Sequence, residues 1–218
     1  MRCIAWRKMT EETEMYQPAN FVLAEFIKES NLIDPQPSFA GVLIPGAQVG
    51  DLLFDNQMAA WEFIQEAIKE GLTANIALEI HRKLTKGVDF FELRGMSGNY
   101  RKCDVWIGGH KAPAAWALVD LMRGWWQEWE EATARVQAGE ADAKEEAWNM
   151  HHLFESIHPF IDGNGRTGRL LLNTFLLNVN AEPVTVYYAD RFDYYASINS
   201  WQKKHFYDFK TKLHGDKI

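Results

Sequence analysis

A chain of 218 residues with 47% hydrophobic side chains, nine Trp and thirteen Phe can bury one sizeable core or two small ones, which excludes disorder as its default state. Its formal charge of −7 excludes general electrostatic gripping of a nucleic-acid backbone, while a nucleotide held by a few aimed groups stays open. Cys3 and Cys103 are the only cysteines, so no disulfide framework or cysteine-based zinc site is indicated and a reducing compartment fits. The opening MRCIAWRKMTEETEMY carries charges where a signal peptide needs an apolar core, and no run reaches the roughly 18 apolar residues of a membrane span. The expectation is a cytoplasmic protein with neither membrane nor nucleic acid as partner.

In chain order, NFVLAEFIKES (20–30) carries the broad apolar stripe of an amphipathic helix, stopped by NLIDPQPS with prolines at 35 and 37. An irregular segment is expected to reach Asp55. DNQMAAWEFIQEAIKEG then reads as a helix capped by Asp55 with Gly71 past its end, and TANIALEIHRKLTKG repeats that layout with Thr73 and Gly87. The pair predicts an αα-hairpin. Between Gly95 and Pro113, glycine punctuation and the β-leaning DVWIG predict a small hairpin flap. APAAWALVDLMRGWWQEWEEA returns to helix, with Trp116, Trp125, Trp126 and Trp129 at a spacing that favours core and leaves room for an exposed partner patch, and TARVQAGEADAKEE reads as a surface loop or frayed end. Helices are predicted again at AKEEAWNMHHLFESI, GRTGRLLLNTFLLN and DRFDYYASINSWQKKHF. The fold class is mainly α with a small β-hairpin, and the first 50 residues are expected to pack as a separate layer. Boundaries are placed at 1–55, 56–210 and a tail at 211–218.

The chemistry concentrates in HPFIDGNGRTGR, residues 158–169. GNGRTG satisfies G-x-G-x-x-G, but it follows a helix rather than a strand, so a dinucleotide fold is rejected. A zinc site on His151, His152 and His158 lacks a fourth ligand at suitable spacing; His152 reads as a surface side chain and His151 as a packed or hydrogen-bonded one. The element makes better sense as an anion cradle. Gly163 and Gly165 allow backbone N–H groups to converge at a helix start, and Arg166 and Arg169 share one face of its first turn. Cations there oppose the helix dipole unless an anion completes the site. Asp162 can supply a hard oxygen to Mg²⁺, Asn164 an amide donor, and His158 a general base. Phe160 reads as an anchor of the loop in the core.

This stretch resembles the Fic family signature without a departure, and the likeness extends over about 95–205 through GNYRKCDVWIGGHKAP, similar to the family's flap, and PVTVYYADRFDYYASI. The resemblance implies a Fic-type helical bundle that transfers AMP from Mg-ATP to a Ser, Thr or Tyr hydroxyl of a target protein and releases pyrophosphate. It implies His158 as the base and Asp162 as the Mg²⁺ ligand. ATP phosphates would lie against Gly163, Asn164, Gly165, Arg166, Thr167, Gly168 and Arg169. In the flap, Ile107, Gly108, Gly109 and His110 would dock the target by strand pairing. Tyr194, Tyr195 and Gln202 match positions that line the adenine pocket in relatives, although tyrosines at helical spacing also suit a core.

Many Fic proteins carry an inhibitory helix whose Glu pairs with the second motif arginine. SNLIDP, Ser30 to Pro35, sits in a similar place with Asp34 for Glu and Pro35 for Gly. Two outcomes stand: Asp34 reaches Arg169 and restrains the enzyme, or it falls short; weakened inhibition is the expectation. Relatives that transfer UMP, phosphocholine or phosphate, and a non-catalytic nucleotide-binding module, are the alternatives. The chain itself is a candidate target through autoAMPylation, and the sequence names neither another target nor an oligomeric state.

Overall fold

The computed structural model describes residues 21–34, 46–107 and 110–214. Helix α1, Leu23–Ile33, buries Leu23, Phe26, Ile27, Ser30 and Ile33, the i, i+3, i+4, i+7 pattern of its sequence. Asp34 caps its C-terminus; Pro35 lies outside the described residues. Helix α2, Gly46–Glu70, starts nine residues before the expected Asp55 cap and carries Asp55 inside it. The apolar stripe explains this, because Leu53 continues backwards the buried series Gln57, Ala60, Trp61 and Ile64 and packs with Val88 and Phe91. Gly71 directly follows this helix at φ 100°, whereas Gly87 (φ 71°) lies in a turn three residues beyond Leu84, where the next helix ends with Thr85 as its cap. Helix α3, Ile76–Leu84, begins after Thr73, whose carbonyl accepts from Ile76 N–H (2.9 Å) in a preceding turn rather than at a cap. A single-turn helix α4, Asp89–Glu92, follows.

The expected flap is a two-stranded antiparallel ribbon, β1 Trp106–Ile107 and β2 His110–Lys111, with Trp106 opposite Lys111 and Ile107 opposite His110. Helix α5, Leu118–Gln137, runs on through TARVQ, where a loop or frayed end is expected, and a partly buried Arg135–Glu146 bond (2.7 Å) ties its end to the next helix. Trp125 and Trp129 are core, but Trp116 precedes α5 and is 83% exposed. Helix α6, Ala143–Ile157, is capped by Asp142 through Glu145 N–H (2.9 Å). Helix α7, Asn164–Asn178, buries nearly every residue, as a central helix must. Helix α8, Arg191–His214, closes the bundle over α6.

Instead of forming a separate layer, α1 joins the main core: Phe26 and Ile27 are buried with Trp61, and Phe21 stacks on Trp61 at 5.2 Å. Helix α2 also runs straight across the 55/56 boundary. The arrangement puts three ends at one place: the C-terminus of α1, the C-terminus of α6 and the N-terminus of α7.

Candidate active site

His158 ends α6 in the left-handed region (φ 51°, ψ 63°), which turns the chain out of the helix one residue after Ile157. A side chain there is strained, and the surroundings hold it. Arg101 Nε donates to the His158 carbonyl (2.9 Å), Arg101 N–H to the Pro159 carbonyl (2.9 Å), and the same guanidinium reaches the carbonyls of Cys103 and Pro113. The base of the flap and the turn at His158 are therefore one hydrogen-bonded unit.

Phe160 is fully buried, as expected, stacked on His81 with ring centres 3.8 Å apart. Gly98 N–H donates to His81 Nδ1 (2.9 Å), so Nε2 carries the proton and donates to the Asp162 carbonyl (3.0 Å). Burial lowers the His81 pKa to about 4 and keeps the ring neutral. Asn164 corrects the expectation of a free amide donor. Its Oδ1 accepts from Phe160 N–H and its Nδ2 donates to the Phe160 carbonyl, both at 2.9 Å, so the side chain shapes the loop.

Gly163 (φ 79°) takes the N-cap of α7, and the first helical bond is Thr167 N–H to the Gly163 carbonyl (3.0 Å). The N–H groups of Asn164, Gly165 and Arg166, in the first turn, have no intrahelical acceptor. Arg166 is buried, with a terminal nitrogen 3.7 Å from Asp162 Oδ2. Arg166 Nε and Asp162 Oδ2 are buried without a hydrogen-bond partner among the described residues. Thr167 is completely buried on the inner side of α7, and Gly168 packs against Glu155 and His151, so neither borders the cradle.

An anion already sits there. Asp34 Oδ2 lies so close over Gly165 that a Cβ at that position would collide with it, and it accepts from Arg169 at 2.8 Å. Ser30 contributes its Oγ and its carbonyl to Arg169, both at 2.9 Å. Asp34 thus does reach, despite its shorter side chain, because Ser30 brings the end of α1 onto the guanidinium. Tyr194 OH completes the set at 3.4 Å from Arg169 and 2.9 Å from His151 Nε2. Burial alone would lower the Arg169 pKa, but the Asp34 and Tyr194 contacts leave it raised.

Residues 71–176 match the model of the Fic/DOC family. They form a Fic domain. Among curated relatives, protein adenylyltransferase Fic of Drosophila grimshawi is 35% identical over 138 residues, covering 62% of this chain and 27% of that protein. The Drosophila mojavensis protein of the same name is 34% identical over 138 residues, with 62% and 26% covered. The chain spans about a quarter of the length of these curated relatives. Its fold is shared with a Fic-domain signalling protein of Bacteroides thetaiotaomicron (TM-score 0.66, 18% identity, 81% of this chain and 70% of that one). Fic-1 of C. elegans superposes with a TM-score of 0.65 at 24% identity, covering 81% of this chain and 54% of that one.

Past the matched span, on α8, the residues inferred for adenine separate. Tyr194 is buried on Arg169 and His151, whereas Tyr195 is 38% exposed and donates to the Ile33 carbonyl (3.0 Å); Gln202 is half-buried farther along α8. Gly108 and Gly109 lie outside the described residues, and Ile107 and His110 pair across the ribbon. His152 is 8% exposed, not a surface residue, because α8 covers it and its Nε2 meets Ser197 Oγ at 3.2 Å. Among the described residues no group of three or more His, Cys, Asp or Glu could hold a metal by itself.

Three residues of this site escaped the sequence reading: His81, Arg101 and Glu155. His81 falls on the apolar face shared by Ile76, Ala77, Ile80 and Leu84, and a polar ring on such a face was a usable signal. Arg101 and Glu155 gave none, since His158 and Pro113 reach Arg101, and Gly168 reaches Glu155, only through the fold.

Proposed function

We propose that the chain is a protein adenylyltransferase, taking AMP from Mg-ATP and placing it on a Ser, Thr or Tyr hydroxyl of a target protein. What carries this reading is the anion-ready start of α7, with Arg169 buried beside it and a carboxylate standing over Gly165 where a phosphate would rest. His158 takes the proton of the target hydroxyl. The hydroxyl oxygen attacks the α-phosphorus in line with the departing pyrophosphate, giving an AMP-protein ester. The amides of Asn164, Gly165 and Arg166 hold phosphate oxygens, Arg166 offsets charge on the leaving group, and Arg169 takes the γ-phosphate.

Asp162 suits Mg²⁺: it offers one buried oxygen that has no hydrogen-bond partner among the described residues and lies 3.7 Å from Arg166, and Mg²⁺ characteristically combines one or two carboxylates with phosphates and water. Bound there, Mg²⁺ would neutralise phosphate charge. Tyr195 and Gln202 are our candidates for the adenine contact, and Ile107 to His110 for strand pairing with the target. Asp34 and Ser30 act as a brake by occupying Arg169. A cytoplasmic setting fits the free, exposed Cys103.

Incubation with ATP labelled on either phosphate tests the reading. Label from the α-phosphate on protein, lost in His158→Ala, is the expected result; label from the γ-phosphate would replace AMP transfer by phosphate transfer. Full labelling by His158→Ala would remove His158 as the base.

A further inference from the structure

Glu155 lies on α6 one turn after His151, almost fully buried, and presses on α7 at the one residue that precedes Arg169. A Cβ at Gly168 would collide with Glu155 Oε1 and come 3.1 Å from His151 Nδ1. A glycine there admits a carboxyl group into the heart of the bundle. Its Oε1 has no hydrogen-bond partner among the described residues, an expensive arrangement for a charged group and a tolerable one for a protonated acid.

The groups around it allow the charges to be counted. Asp34 faces it from α1, His151 from α6, Arg169 from α7, and Tyr194 and Tyr195 from α8. His151 is neutral, since burial first and neighbouring charge second lower its pKa to about 3. Tyr194 is neutral too, its pKa raised mainly by burial. One buried cation therefore faces two carboxyl groups, Glu155 almost fully buried and Asp34 partly exposed, and ionising the buried one beside Asp34 is opposed by burial and by like charge. Asp34 makes the direct bond to the guanidinium and is the more exposed of the two. Burial, with Asp34 adding to it, pushes the Glu155 pKa up to about 8.

We propose that Glu155 is the reserve counter-ion that positions Arg169, protonated while Asp34 engages the guanidinium, ionised when Asp34 leaves, and protonated again when a phosphate arrives. Departure of Asp34 would otherwise leave a bare buried cation. Glu155 instead releases its proton to solvent and holds Arg169 by charge, and the incoming anion reverses that step with uptake of one proton. The guanidinium keeps one anionic partner throughout. The final step rests on the nucleotide reading above; the first two do not.

The decisive experiment is a pH titration by NMR of the full chain labelled at the glutamate side-chain carboxyl carbon, with Glu155→Gln identifying the resonance. The expected midpoint is about 8 in the wild type. In Asp34→Ala it should fall by about one to three pH units, and Asp34→Asn, which keeps the shape, should behave alike. An unchanged midpoint in both Asp34 variants, or ordinary glutamate titration in the wild type, overturns the proposal. With His158→Ala blocking chemistry, calorimetry of Mg-ATP binding in buffers of different ionisation heat gives a second readout. Asp34→Ala should take up about one proton more than Asp34→Ala/Glu155→Gln; equal uptake counts against Glu155. Absence of any nucleotide binding sinks the nucleotide reading, while the titration still decides Glu155.

Discussion

Arg169 is the residue on which the site turns, and everything bonded to it comes from elsewhere in the chain. Ser30 and Asp34 lie outside the span matched as a Fic domain, and Tyr194 follows it. A charge-assisted bond of this kind contributes about 1.5–3 kcal/mol, so as an intramolecular competitor it should weaken nucleotide binding about ten-fold or more. Asp34→Ala is therefore expected to raise AMP transfer at limiting ATP by about ten-fold. Equal rates in the two proteins would show that Asp34 does not restrain the site. This departs from the weakened inhibition expected of a shortened side chain, because side-chain length mattered less than where Ser30 delivers the backbone.

At the level of elements, the turn between α6 and α7 works because the flap is fastened to it. Arg101 supplies three of the connecting bonds, to carbonyls on both sides. Arg101→Ala should cost about 2–4 kcal/mol in urea unfolding, and kcat should drop more than KM for ATP rises, since His158 loses its support while the cradle does not. A variant with normal kcat would mean that the flap and the turn are independent. The glycines, the paired arginines and the apolar runs on either side made this turn and its two helices readable in advance. The start of α2 was hidden because Pro35 and Pro37 suggested a longer irregular stretch, while the pattern leading back from Leu53 was the better guide. The extent of α5 was hidden by its polarity, which a partner on α6, Glu146, satisfies. Glu155 could not be anticipated: a glutamate in HLFESI looks solvated until the neighbouring helices are in place.

Across the whole molecule, buried titratable groups should give stability a maximum in pH. His81, His151 and His152 have folded-state pKa values of about 4, 3 and 4, all lowered mainly by burial from 6.5. Below pH 6.5 the unfolded chain accepts protons that the folded chain refuses, so these groups lose stability as pH falls. Glu155, raised from 4.5 to about 8, acts oppositely: the folded chain keeps a proton the unfolded chain has lost, and stability declines as pH rises through that window. Each group contributes about 1.4 kcal/mol per pH unit, so three histidines outweigh one glutamate on the acid side and Glu155 prevails above pH 6.5. Urea unfolding should show greatest stability near pH 6.5; a curve still rising at pH 8 would contradict this. The contact between α1 and Arg169 has another effect at this scale. Most ligands tighten the proteins that bind them, but a nucleotide entering here must first undo the bonds of Ser30 and Asp34, so occupancy and order at the end of α1 oppose each other. Saturating Mg-ATP should therefore raise the melting temperature less in the wild type than in Asp34→Ala, and amides in the last turn of α1 should exchange faster with nucleotide bound. Filling the site would loosen one of the helices that built it.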